Sequence, residues 1–211
     1  PEAAGETEDY PVILPDGSRV AFDTRTDLRQ LVVLENGLES DGTYRLTTGV
    51  RLGRKSTRAL VDGEWVPVLG QNAEVPADAT DVKTAQTETV ADVYISKGAP
   101  TWDAISPMGR LAFVPKTHPN EIFSGEAFAL SVTFDGAPLV GHNMSVYRSG
   151  GHYEEPQFGI EEMTDEDGEV SLTLDEPGVY MIMTRHRADA PNGAETDERG
   201  YTTSLTFEVM K

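Results

Sequence analysis

The feature that most constrains this chain is a two-residue rhythm of apolar and polar side chains, repeated in segment after segment. In Phe128-Ala-Leu-Ser-Val-Thr-Phe134, Phe128, Leu130, Val132 and Phe134 fall on one side, and Ala129, Ser131 and Thr133 on the other. Successive side chains of an extended strand point to opposite faces, so this rhythm predicts strands with one face in a core. Val170, Leu172 and Leu174 alternate with Ser171 and Thr173, and Val179, Met181 and Met183 alternate with Tyr180, Ile182 and Thr184. Thr203, Leu205, Phe207 and Val209 mark a last strand; upstream, Tyr44, Leu46, Thr48, Val50 and Leu52 share a face and Val90 to Ile95 reads as another. No stretch sustains the 3.6-residue stripe of a helix, and single turns near Ala104 to Met108 are the most that is expected.

Punctuation between these runs is dense. Pro15-Asp-Gly17, Asn36-Gly37, Asp41-Gly42, Asp62-Gly63, Asp135-Gly136, Asp167-Gly168 and Pro177-Gly178 separate them. Asp-Gly and Asn-Gly supply the positive φ angles of tight hairpins. Many short strands so punctuated predict an all-β chain of antiparallel β-sandwiches. Residues 31–49 (LVVLENGLESDGTYRLTTG) and 172–185 (LTLDEPGVYMIMTR) echo each other: a strand, a turn ending in Gly, a step to Tyr, then an alternating strand. Gly-x-Tyr resembles the tyrosine corner of immunoglobulin-like sandwiches, or else is a common turn followed by an aromatic. The expected organisation is two consecutive β-sandwich domains, 11–115 and 116–211, meeting where Pro115 and Pro119 bracket Lys-Thr-His.

Charge narrows the partners. Thirty-six acidic against 17 basic residues give a net charge of −19. A polyanionic nucleic acid or an anionic membrane surface would be repelled. No apolar run approaches the roughly 18 residues of a membrane-spanning helix, so no membrane insertion is expected. With no cysteine, disulfides, thiolate metal sites and cysteine nucleophiles are excluded. The acidity suits either enrichment of divalent cations or simple solubility in a salt-tolerant setting.

Most motif candidates fail on spacing. Gly49-Val-Arg-Leu-Gly53-Arg-Lys-Ser56 has three residues between its glycines and Arg54 where a phosphate loop needs Lys. Arg45, Arg51, Arg54, Lys55 and Arg58 form a basic island: a solvated face offsetting local acidity, or a patch for an anion or partner. Asp165-Glu-Asp-Gly168 has its glycine too early for a calcium loop and reads as a hairpin turn. Ser149 lacks a nucleophile-elbow frame, and nothing favours an enzyme. The histidines His118, His142, His152 and His186 all lie in the second half. His186 opens a polar stretch carrying Asp189, Glu195, Asp197 and Glu198. Imidazole with carboxylate suits divalent nickel, cobalt, copper or zinc. The candidate metal ligands are His118, His186, His152 and Asp189; the plainer alternative is histidines that only hydrogen-bond.

The order of segments 75–101, 111–130 (LAFVPKTHPNEIFSGEAFAL), 134–147, 164–182 and 200–209 resembles the uncharacterised periplasmic NikM-like family, described as periplasmic components of nickel/cobalt transport. The likeness spans roughly residues 15 to 210, and Pro-x-Thr-His-Pro-Asn followed by Phe-x-Gly-Glu is its most specific piece. It implies an exported, periplasmic protein of immunoglobulin-like or prealbumin-like β domains. His118 falls on the family's Thr-His-Pro-Asn histidine, and His186 in the Thr-Arg-His-Arg of a subgroup. The stretch ahead of Pro11 is shorter than is usual in the family and lacks its histidine, which implies an incomplete metal site and an open edge on the first domain. The expected function is an accessory for divalent metal uptake, working with a membrane transporter or receptor component. The alternative is a non-catalytic protein–protein interaction module of the cell envelope.

Overall fold

The computed structural model describes residues 10–69, 74–150 and 159–211; His152 lies outside them. Among the described residues there are strands and no helix: β1 (Pro11–Ile13), β2 (Arg19–Ala21), β3 (Thr24–Asp27), β4 (Val32–Glu35), β5 (Gly42–Thr47), β6 (Arg51–Val61), β7 (Glu64–Val68), β8 (Asp81–Lys97), β9 (Leu111–Pro115), β10 (Ala127–Phe134), β11 (Ala137–Pro138), β12 (Asn143–Arg148), β13 (Ile160–Met163), β14 (Glu169–Thr173), β15 (Gly178–Asp189) and β16 (Glu198–Val209). The chain is all-β, as the alternation predicts, and no helix long and apolar enough to cross a membrane occurs among these residues.

One large sheet runs β13-β12-β15-β16-β8-β5-β1-β2, with β6 attached along β8 and β7 along β6. β8 is its spine. The first part of β8 pairs with β6 and its last part with β5, both antiparallel, while its other edge takes β16 in parallel from Ala85↔Glu198 to Val93↔Thr206. That parallel ladder joins strands from the two halves of the chain. β9, β10, β11 and β14 form a second sheet. The boundary expected between residues 115 and 116 falls between β9 and β10, which pair along Leu111–Pro115 and Leu130–Phe134.

The main core lies between the β12-β15-β16 region and the β9-β10-β14 sheet. Phe128, Leu130 and Val132 of β10 meet Met144 and Val146 of β12, Tyr180 and Ile182 of β15, and Leu205 and Phe207 of β16. All are buried because they are alternate members of their strands. Burying each such side chain contributes about 1.5–3 kcal/mol.

The turn chemistry follows the sequence. Asp62-Gly63 and Asp135-Gly136 both hold positive φ (51° and 83°; 52° and 78°) and close β6–β7 and β10–β11. The Tyr44 hydroxyl donates to the Ser40 carbonyl at 2.9 Å and accepts the Ser40 N–H at 2.7 Å. The Tyr180 hydroxyl donates to the Glu176 carbonyl at 2.8 Å. The tyrosine-corner bond therefore occurs in both halves. One expected strand is interrupted: the run from Tyr44 to Leu52 breaks after Thr47, where Gly49 takes a φ of 62°. There the Thr48 hydroxyl, not its carbonyl, accepts the Ala91 N–H at 3.0 Å. The alternation continues across this break, which is why sequence does not register it.

Candidate functional site

At one rim of the main core the inward series of four strands run out of aliphatic residues. β10 ends inward on Phe134, after Val132. β15 continues from Ile182 and Thr184 to His186; β16, after the buried Arg199, brings Tyr201 inward before Thr203. His142 stands two residues before Met144 of β12. The ladder places His186 directly opposite Tyr201. Four strand faces thus converge on two imidazoles and two aromatic rings, a mixed polar end to an apolar layer.

The packing is close. Phe134 lies 4.5 Å from His186 and 5.0 Å edge-on from Tyr201, centroid to centroid. The His142 and His186 rings meet edge-on at 5.6 Å. Arg110, just before β9, lays its guanidinium over Phe134 at 4.7 Å and over Tyr201 at 5.2 Å. It donates to the Tyr201 hydroxyl and grips both oxygens of Asp135, the Nε contact measuring 2.6 Å. Such planar, two-point pairing fixes both partners. It raises the Arg110 pKa and holds the Asp135 carboxyl below its ordinary value, the hydrogen bond from Arg110 being the main cause. Burial raises the Tyr201 phenol, which Arg110 partly offsets.

One ring nitrogen of the histidine pair is both buried and unbonded. His142 Nε2 is buried and has no hydrogen-bond partner. Burial, and second the proximity of His186, lower the His142 pKa below the ordinary 6.5, so it favours the neutral form. A neutral imidazole with an unshared lone pair is the form that ligates a borderline metal ion. Asp135 is close by but committed to Arg110. Among the described residues, no three or more His, Asp or Glu converge in a way that would enclose a metal ion.

The three expected ligands among the described residues, His118, His186 and Asp189, do not gather in one place. His186 is in the cluster. Asp189 lies exposed at the end of β15, opposite Glu198. His118 is buried elsewhere, in the β9–β10 connection. Its Nδ1 accepts the Asn120 N–H at 3.1 Å, and its Nε2 lies 3.0 Å from the Thr101 carbonyl and 3.2 Å from the Thr43 hydroxyl. A carbonyl only accepts, so Nε2 carries the proton and Nδ1 the lone pair. Trp102 packs edge-on at 5.0 Å. Neighbouring Asn120 donates to the Tyr94 carbonyl at 2.7 Å and accepts from the Ser96 hydroxyl at 2.8 Å. The Thr-His-Pro-Asn segment therefore ties this connection to β5, β8 and the loop after β8, and no lone pair of His118 stays open to a metal. His142, which is not among the ligands expected from sequence, takes its place beside His186; its two-residue offset from Met144 is the available signal.

Acidic residues near the β15–β16 hairpin meet the basic island instead of a cation. Glu198 pairs with Arg58, with Lys83 at 3.0 Å and with Arg187 at 3.6 Å, and Lys55 pairs with Glu195. Burial raises the Glu198 pKa, but Lys83 and Arg58 together outweigh it and the net shift is downward.

Over residues 2–188 the chain matches the family described as "Domain of unknown function (DUF4198)". The chain belongs to the DUF4198 family. The matched span includes His118, His142 and His186 but ends before Tyr201 of the rim cluster. No curated protein matches the chain.

Proposed function

We propose that this DUF4198 protein is an exported, periplasmic binding protein that holds a divalent transition-metal ion (nickel, cobalt, copper or zinc) on His142 and His186, as an accessory to metal uptake by a membrane transporter. The observation that carries the reading is the pairing of these rings at 5.6 Å with His142 Nε2 left unbonded. The pair supplies two imidazoles, and water or a partner protein supplies the remaining ligands. This incompleteness suits transfer better than storage, because a two-point site releases its ion readily. The negative charge of the whole chain raises the local cation concentration. His118, with both ring nitrogens engaged, is then a structural residue.

Calorimetric titration with nickel, cobalt, copper and zinc tests it. The expected result is one ion per chain at roughly 100 μM or tighter, equivalent to about −5.5 kcal/mol, lost in H142A and in H186A. Absence of binding at that level, or its persistence in the H142A/H186A double variant, refutes the reading.

A second reading is a protein-interaction module. Leu28 and Leu31, in the β3–β4 connection, are 49% and 52% exposed. An envelope partner retained by the intact protein and lost on L28S/L31S, without added metal, would favour it.

A further inference from the structure

The outer face of the large sheet carries an ordered row of cationic and hydroxyl side chains, beside a cleft that His186 and Tyr201 of the rim also line. Register defines the row. Arg185 of β15 stands opposite Thr202 of β16, Thr202 opposite Thr89 of β8, and Thr89 opposite Arg51 of β6. One rung along, Arg187 stands opposite Gly200, and Gly200 opposite Thr87. There β6 has a register irregularity between Leu52 and Lys55, which brings Gly53 onto Thr87: a Cβ at Gly53 would lie 2.2 Å from the Thr87 hydroxyl. Gln86 fixes this bend by donating to the Gly53 carbonyl at 2.8 Å. Arg54 follows on the bend.

Two adjoining clefts, of about 430 and 600 Å³, occupy this face and share Thr89. Among the described residues, no Asp or Glu lines either one. In a chain of net charge −19, a trough with arginines at both walls and no carboxylate among its described lining residues is a local reversal of field. Glu198, two positions before Gly200 on β16, is held by Arg58 and Lys83 together with Arg187. Glu88 points away, toward Gly109. Arg54 and Arg185 form no ion pair among the described residues, while Arg51 packs on the Tyr10 ring at 4.6 Å. The walls are three strand spacings apart, roughly 14 Å, a gap that two arginine side chains narrow from either side.

We propose that this trough binds a small oligoanion: a ligand bearing two or more oxyanion groups (carboxylate, sulfate or phosphate) short enough to lie between β15 and β6. Guanidinium groups grip such oxygens by two-point hydrogen bonds, and the Thr87, Thr89 and Thr202 hydroxyls donate from the floor. The remaining surface repels a long polyanion, so the ligand is short.

The test is calorimetry on the intact chain at low salt with inorganic triphosphate and with citrate, which separate phosphate from carboxylate preference. The expected result is saturable one-to-one binding of at least one probe, weakened about tenfold or more in R54Q/R185Q. The charge-matched variant R19Q/R29Q, altered outside the trough, stays within about twofold because the overall field changes equally in both. No saturable binding, binding that survives R54Q/R185Q, or equal loss in the two double variants overturns the proposal.

Discussion

The two halves of the molecule reach stability by different means. The C-terminal half closes two sheets over an extensive apolar core running from Phe128 to Phe207. The N-terminal half presents mainly one sheet, and β3–β4 meets it across a groove of about 370 Å³ lined by Phe22, Leu34, Leu46 and Val93. Its centre is in good part polar. Arg45, 2% exposed, donates to Asp92 at 2.9 and 2.6 Å and to the Ser106 carbonyl at 2.6 Å. Thr43 and Thr47 are buried beside it, and burial pushes the adjacent Tyr94 phenol up to about 12. A half with few aliphatic contacts thus depends on satisfied polar groups, while the other depends on packing. β8, Asn120 and His118 link the two.

The sharpest way to break this comparison is to remove packing from one half and charge pairing from the other. Phe128→Ala leaves a cavity between Phe207 and the β14 side chains, and should destabilise the chain by about 3–5 kcal/mol in urea unfolding. Arg45→Met strands the Asp92 carboxylate in a buried setting, with an expected loss of about 3 kcal/mol or more. The double variant Arg45→Met/Asp92→Leu should recover much of that loss, since the unpaired charge is gone. Failure of the double variant to recover would mean that Arg45 acts by packing on Tyr94.

A smaller effect concerns the rim. The His142 pKa is lowered in the folded chain, so between that value and 6.5 the unfolded chain binds the extra proton. The stability that neutral His142 contributes is complete above about pH 6.5 and declines as pH falls through its folded value. H142Q should flatten that part of the stability–pH curve. An unchanged slope would place the titration elsewhere.

How much is legible in the sequence divides by range. Alternation and Asp-Gly turns are local, so the strands β10, β14, β15 and β16 and two tight hairpins can be read from residue order alone. The Gly-x-Tyr echo also carries its physics, because the Tyr44 and Tyr180 bonds span only four residues. The parallel pairing of β8 with β16 joins segments more than a hundred positions apart, and no local pattern encodes it. The same holds for His118. Residue type suggests a ligand, but its role is set by Thr43 and Thr101, distant in sequence and adjacent in space. His142 escapes a sequence reading of the site because a Gly-His-Asn turn hides its continuity with the inward face of β12.

The function proposed for the rim rests on which imidazoles accept an ion. Zinc titration followed by the ring nitrogen resonances of the four histidines in NMR addresses it directly. His142 and His186 should shift together, with one ion per chain, while His118 stays unmoved. Movement of His118 ahead of that pair, or no response from His142 and His186, would contradict it.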